Sequence, residues 1–151
     1  MPASRLKLDR FLPYRLSVLT NTISRALALG YAERFGLTIP QWRIVAVLGH
    51  DPDLSAVEVA KRTVMDKVSV SRAVTALESD GRLIRRVDSS DRRRSRLRLS
   101  AAGRAVYREI VPLARSYEMR LLSTLTASER TAFNDLLTRL TQQASVLNTL
   151  R

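Results

Sequence analysis

The sequence has no cysteine and a single histidine, His50. A thiolate nucleophile, a disulfide framework, a thiol redox switch and a Cys/His zinc site are therefore excluded. Aromatic residues make up only 5% of the chain, and the basic segment lacks the interleaved rings on which RNA bases stack. No run approaches the roughly 20 apolar residues of a membrane span. Arg5, Lys7 and Arg10 are followed by apolar residues interrupted at Pro13, Arg15, Ser17 and Asn21, which is no signal-peptide core. The expectation is a cytoplasmic protein with no membrane partner. The acids are scattered and form no paired-carboxylate motif, and no GxGxxG, GKS or GKT string is present to hold nucleotide phosphates. His50 lies in a Gly-His-Asp-Pro turn and reads as a solvated residue, not a general base. The chain is therefore expected not to be an enzyme and to carry no cofactor and no metal.

Acidic residues are also few: 14 stand against 26 basic ones, for a net charge of +12 over 151 residues. Such an excess is a statement about partners, and nucleic acid leads. Only Lys7, Lys61 and Lys67 are lysines; the other basic residues are arginines, whose planar fork suits phosphates and guanine edges. The excess is concentrated. Between Arg82 and Arg98 lie eight arginines and two acids, Asp88 and Asp91.

Hydrophobic spacing gives a coarse map. Leu16, Leu19, Ile23, Leu27 and Tyr31 recur at helical intervals after Pro13, and Gly36 suits a helix stop. Pro40 opens a short helix containing Trp42, Ile44 and Val45, expected to end before Gly49. Ser55-Ala56-Val57-Glu58 is a capping box. Thr63-Val64-Met65 is a tight connection, and Asp66 is the next N-cap. Val70, Ala73, Val74 and Leu77 form one stripe, closed by Gly81. Residues 83–99 then read as a β-hairpin turning at Asp88–Asp91. Ser100 caps a long helix that Pro112 should bend. A last helix begins at Thr126, with Phe133, Leu136, Leu137, Leu140, Ala144 and Leu147 on one face.

Two short helices, a tight turn and a hairpin make a winged helix-turn-helix, and its second helix is the candidate DNA reader. With the stripe inward, Ser71, Arg72, Thr75 and Ser79 face outward, flanked by Ser69 and Ala76. Small hydroxyls let a helix approach base edges, and Arg72 suits a bidentate contact to guanine. The hairpin tip, Asp91-Arg92-Arg93-Arg94, suits insertion of one arginine into a narrow minor groove. Asp91 would pin an arginine fork.

This order of elements resembles the MarR (multiple antibiotic resistance regulator) family. The residues that carry the likeness are Leu54-Ser55, the segment Ser71-Arg72 through Leu77 to Gly81, Leu83-Ile84-Arg85-Arg86, the wing Asp88 to Arg93, and Leu99-Ser100-Ala101-Ala102-Gly103. The resemblance implies a mainly α fold with a small β-hairpin wing. Residues 1–36 and 101–151 would supply a helical dimerisation domain, and residues 37–100 the winged helix-turn-helix. It implies a homodimer on pseudo-palindromic double-stranded DNA, with Ser69, Ser71, Arg72 and Thr75 reading the major groove. Arg92 and Arg93 would enter the minor groove with Asp91 as orienter, while Ser55 and Lys67 hold phosphates. Which of Arg92, Arg93 or Arg94 is inserted stays open.

The same likeness implies a repressor, on a bacterial or archaeal nucleoid, released by a small aromatic or lipophilic anion. Candidate effector contacts are Tyr14, Arg15, Tyr31, Trp42 and Arg43. Arg15 either meets a ligand carboxylate or pairs with an acid such as Glu118 across the dimer. Without a thiol, the peroxide-sensing branch of the family is closed to this chain. A sequence-tolerant architectural nucleic-acid protein is the rival reading. A module that binds an acidic protein partner is the second.

Overall fold

The computed structural model describes residues 5–150. A single 3-10 turn, Leu8–Arg10, leads into helix α1 (Leu12–Phe35), α2 (Ile39–His50), α3 (Ala56–Thr63) and α4 (Lys67–Ser79). Strands β1 (Leu83–Val87) and β2 (Ser95–Leu99) follow, then α5 (Ala101–Leu122) and α6 (Ala127–Thr149). The protein is thus mainly helical with one antiparallel hairpin, as expected. Two compact units are present, residues 1–113 and residues 114–151. No helix among the described residues is long and apolar enough to cross a membrane.

Most helices start where a short polar side chain can satisfy an otherwise unpaired amide. Ser55 Oγ accepts from the Glu58 amide, and Glu58 reaches back to the Ser55 amide at 2.7 Å. Thr126 and Glu129 repeat that exchange at α6. Thr38 and Gln41 repeat it at α2, a box hidden beside Pro40. Asp66 caps α4, and Ser100 Oγ accepts the Gly103 amide at the start of α5.

The core of the first unit is built from the inward stripes of α2, α3 and α4 against the hairpin. Ile44, Val45, Leu48, Val59, Val70, Val74 and Leu77 meet Leu83, Leu97 and Leu99, all fully or nearly fully buried. The hairpin register pairs Leu83 with Leu99 and Arg85 with Leu97. Leu54 bridges to the other edge of β2, accepting the Leu97 amide at 2.8 Å. β2 therefore lies between β1 and Leu54, tied to the chain on both sides.

Two glycines mark close approaches. A Cβ on Gly103 would collide with the Arg82 carbonyl, so the start of α5 can sit against the foot of the hairpin only as glycine. Gly49 corrects the boundary expected for α2. The helix continues through Gly49 to His50, with the Asp51 amide bonding to the Val47 carbonyl at 2.8 Å. Gly49 is not a stop signal here; the Tyr107 ring occupies the space its Cβ would need.

α5 runs unbroken through Pro112, and the first compact unit ends one residue later, at Leu113. In the second unit, α6 has no buried residue; Phe133, Leu136, Leu137, Leu140 and Leu147 all lie exposed along it. The first half of α1 is likewise exposed at Leu12, Leu16 and Leu19.

Candidate nucleic-acid interface

The reader face is set by one cap and one stripe. Asp66 Oδ1 accepts the Ser69 amide at 2.8 Å, which fixes where α4 begins. Val70, Ala73, Val74 and Leu77 are buried, so Ser71, Arg72 and Thr75 are left outward and exposed. Ser69 is only half-exposed, and its hydroxyl donates to Asp66 Oδ2 at 2.7 Å. That commits its proton and leaves Ser69 as an acceptor. The Asp66 carboxyl is held below the usual carboxylate range, first by the Ser69 hydroxyl and then by the Ser69 amide.

Val68 was not singled out by the sequence. It is 60% exposed in the first turn of α4, beside Lys67. The signal was present, because Val68 lies opposite Val70 by helical rotation. An exposed valine on a reading helix matches the C5-methyl of thymine. Val57, exposed in the first turn of α3, borders a recess that also includes Lys67, Ser71 and Arg85.

Ser55 and Lys67 both lie at helix starts. Ser55 accepts the Glu58 amide, which leaves its own O–H to donate elsewhere. Glu58, its partner in the box, is held below the usual range by the Ser55 amide first.

The wing is more constrained than a basic loop. Asp88 Oδ1 accepts both the Ser90 hydroxyl, at 2.7 Å, and the Ser90 amide. Its second oxygen accepts Arg96 Nε at 3.0 Å. The Ser90 hydroxyl above all, then the Ser90 amide and Arg96, pull the Asp88 carboxyl down to about 2. Arg96 also donates to the Asp53 carbonyl at 2.8 Å, and Arg98 forms a fork with the Asp53 carboxylate. The sequence did not show this clamp, because its partners are 43 to 45 residues apart.

Asp91 holds the turn and lies beside one wing arginine. Its carboxylate accepts the Arg93 amide at 3.0 Å, its carbonyl accepts the Arg94 amide, and Arg94 Nε lies 3.7 Å from Oδ2. Four acids around the site are each matched to an arginine, while Glu58 and Asp66 are held by serine contacts. Asp53 meets Arg98, Glu78 meets Arg85, Asp88 meets Arg96, and Asp91 meets Arg94. Lys67, Arg72, Arg92 and Arg93 are exposed and have no ion-pair partner among the described residues.

The five effector candidates do not gather at one point. Tyr31 and Trp42 pack with ring centroids 5.5 Å apart. Burial raises the Tyr31 hydroxyl above its ordinary value, and the nearby Arg43 charge partly offsets this. Tyr14 and Arg15 are exposed near the other end of α1, about 25 Å away along the axis at 1.5 Å per residue. Among the described residues no group of three or more His, Asp or Glu is placed to hold a metal ion.

A sequence profile described as the MarR family matches residues 35–94, from the end of α1 to the wing tip. Over this segment the chain is similar to the MarR family. An HTH-type transcriptional repressor of Mycobacterium tuberculosis is 29% identical over 131 residues, covering 86% of this chain and 91% of that one. The crystal structure of a MarR/EmrR family transcriptional regulator from Acinetobacter sp. ADP1 superposes with a TM-score of 0.85 at 26% identity, covering 93% and 99% of the two chains. The PcaV transcriptional regulator from Streptomyces coelicolor, solved in complex with its natural ligand, gives 0.74 at 26% identity over 93% and 99%. The proteins this chain is similar to are named as regulators or repressors of transcription.

Proposed function

We propose that this protein is a homodimeric, sequence-specific double-stranded DNA-binding repressor of the MarR family. Each subunit lays α4 in a major groove, with Arg72, Ser71 and Thr75 at base edges and Val68 at a thymine methyl. Arg92 or Arg93 enters the adjoining minor groove. Ser55 and Lys67 meet phosphates. The observation that carries this reading is that Lys67, Arg72, Arg92 and Arg93 stand exposed with no ion-pair partner among the described residues, while Glu78, Asp88 and Asp91 each meet another arginine. The exposed apolar stripes of α1 and α6 are the surfaces a second copy would cover. Two α4 helices in one dimer would engage half-sites about 34 Å apart. The protein acts in the cytoplasm on the nucleoid. The ligand-bound PcaV relative supports release by a small organic ligand.

The test is a fluorescence-anisotropy titration against the duplex upstream of the protein's own coding sequence, beside a scrambled duplex, at about 0.15 M salt. A preference of roughly 10³ supports a specific regulator. Near-equal affinities, there and on fragments recovered by genome-wide binding, would favour the architectural reading.

A further inference from the structure

Val68 is an apolar side chain that the fold does not use. It stands in the first turn of α4, 60% exposed, while Val70, Ala73, Val74 and Leu77 of the same helix fill the core. Valine is a mediocre helix former, so propensity does not favour it there either. The polar groups beside it are already engaged. Both Asp66 oxygens accept from Ser69, one from its amide and one from its hydroxyl.

Helical rotation puts Val68 in specific company. At about 100° per residue, Val68, Arg72, Thr75 and Ser79 fall on one stripe roughly 60° wide, and all four are exposed. Lys67 and Ser71 turn instead toward the recess bordered by Val57 and Arg85. Val68 is thus the apolar member of the stripe that carries Arg72, whose guanidinium has no ion-pair partner among the described residues. Four residues of helix rise about 6 Å, close to two base-pair steps. With Arg72 on the O6 and N7 edge of a guanine, the Val68 methyls reach a base one or two steps away. The feature a valine can contact on a major-groove edge is the C5 position of a pyrimidine, which carries a methyl in thymine and only hydrogen in cytosine. 5-Methylcytosine carries the same methyl in the same place.

We infer that Val68 reads pyrimidine C5-methyl groups, so that methylating a cytosine within two steps of the Arg72 guanine raises affinity as the thymine methyl does. Methyl reading of this kind rests on the DNA-binding reading above and adds a covalent mark on DNA to what the site senses. Valine has neither donor nor acceptor. It is therefore indifferent to the O4 of thymine and the N4 amine of cytosine, and responds to the methyl alone. Covering one methyl is worth about three- to fivefold in affinity, and two half-sites multiply to about tenfold.

The experiment first selects a preferred site for the full-length protein from a random duplex library. Each thymine within two steps of a guanine is then replaced, in both half-sites, by deoxyuridine, cytosine or 5-methylcytosine, with the complementary strand matched. Anisotropy titrations compare thymine with deoxyuridine and 5-methylcytosine with cytosine, at about 0.15 M salt. At one such position the unsubstituted protein should prefer the methylated member of both pairs by about tenfold. Val68→Ala should bring both preferences within about twofold. Alanine is the better helix former and Val68 is not part of the core, so this variant keeps the fold. A purely structural role for Val68 would lower all four affinities together and leave the methyl preferences intact, which would overturn the inference. So would preferences below about twofold at every position, or a selected site with no thymine in that window. A library that yields no preferred site would overturn the DNA-binding reading itself, whereas a preferred site without methyl dependence overturns only the role of Val68.

Discussion

Arg98 grips Asp53 with two parallel bonds: Nε donates to Oδ1 and one Nη to Oδ2, each at 2.8 Å. The residues are 45 positions apart, so the pair stitches the turn after α2 to the middle strand of the wing. Both side chains are partly exposed, at 35% and 44%, which limits the pair to about 1 kcal/mol. Asp53→Asn keeps a residue that tolerates the left-handed backbone and should cost about 1 kcal/mol. Asp53→Ala loses the fork and adds steric strain at φ 64°, for about 2 kcal/mol in all. Urea midpoints of the two variants check this; equal midpoints would mean the backbone there is not strained.

The wing has an acid limit. Asp88 ionises at about 2 in the folded protein against 3.8 ordinarily, so its bonds to Ser90 and Arg96 stabilise the fold above about pH 4. That contribution is lost as the pH falls through 2. Glu58 and Asp66 are displaced in the same direction. The melting temperature of the unsubstituted protein should therefore fall more steeply between pH 4 and pH 2 than that of Asp88→Asn. Parallel curves would remove Asp88 as a titrating anchor.

Val64 ends α3 with φ 53°, a left-handed conformation that crowds a β-branched side chain, and it is 90% exposed. Nothing in packing offsets that strain. Val64→Gly should stabilise the protein by about 0.5–1 kcal/mol, after the entropy that glycine adds to the unfolded chain is counted. A lower midpoint for the glycine variant in chemical denaturation would show that Val64 makes a contact worth more than its strain.

Arg72→Ala should cost about 1–3 kcal/mol on the operator and much less on scrambled DNA, because a bidentate base contact is lost. Arg93→Ala or Arg92→Ala should weaken both and lower the salt slope by about 1. Arg94→Ala should do least, since Arg94 already lies beside Asp91. Anisotropy titrations at several salt concentrations separate these outcomes.

Local features of the fold were legible in the sequence. Ser55, Asp66, Ser100 and Thr126 act on residues three positions away, so their roles can be read from spacing. The stripe from Val70 to Leu77 likewise fixed which face of α4 turns outward. What escaped was long-range. Gly49 looked like a terminator, and only the ring of Tyr107, 58 positions on, explains why a glycine stands inside the helix. Asp53 drew no attention in the sequence, yet it clamps two wing arginines. Asp91 was expected to orient an arginine fork; its carboxylate lies 3.7 Å from Arg94 Nε and also accepts a backbone amide of the tip. Chemistry alone pointed to the residue there, but not to its second role in the backbone of the turn.

Helix α6, with 23 residues and none buried, has a consequence for how the protein responds to its own abundance. In proteins most of a helix's stability comes from packing its apolar face, and here that face is left uncovered. If a second copy supplies the missing cover, folding and assembly become one equilibrium, and the melting point belongs to the solution rather than to the chain. Dilution would then unfold what heat does not. A regulator that represses its own synthesis under that rule would have a floor: below a certain number of copies per cell, new chains would be lost to proteolysis before finding each other.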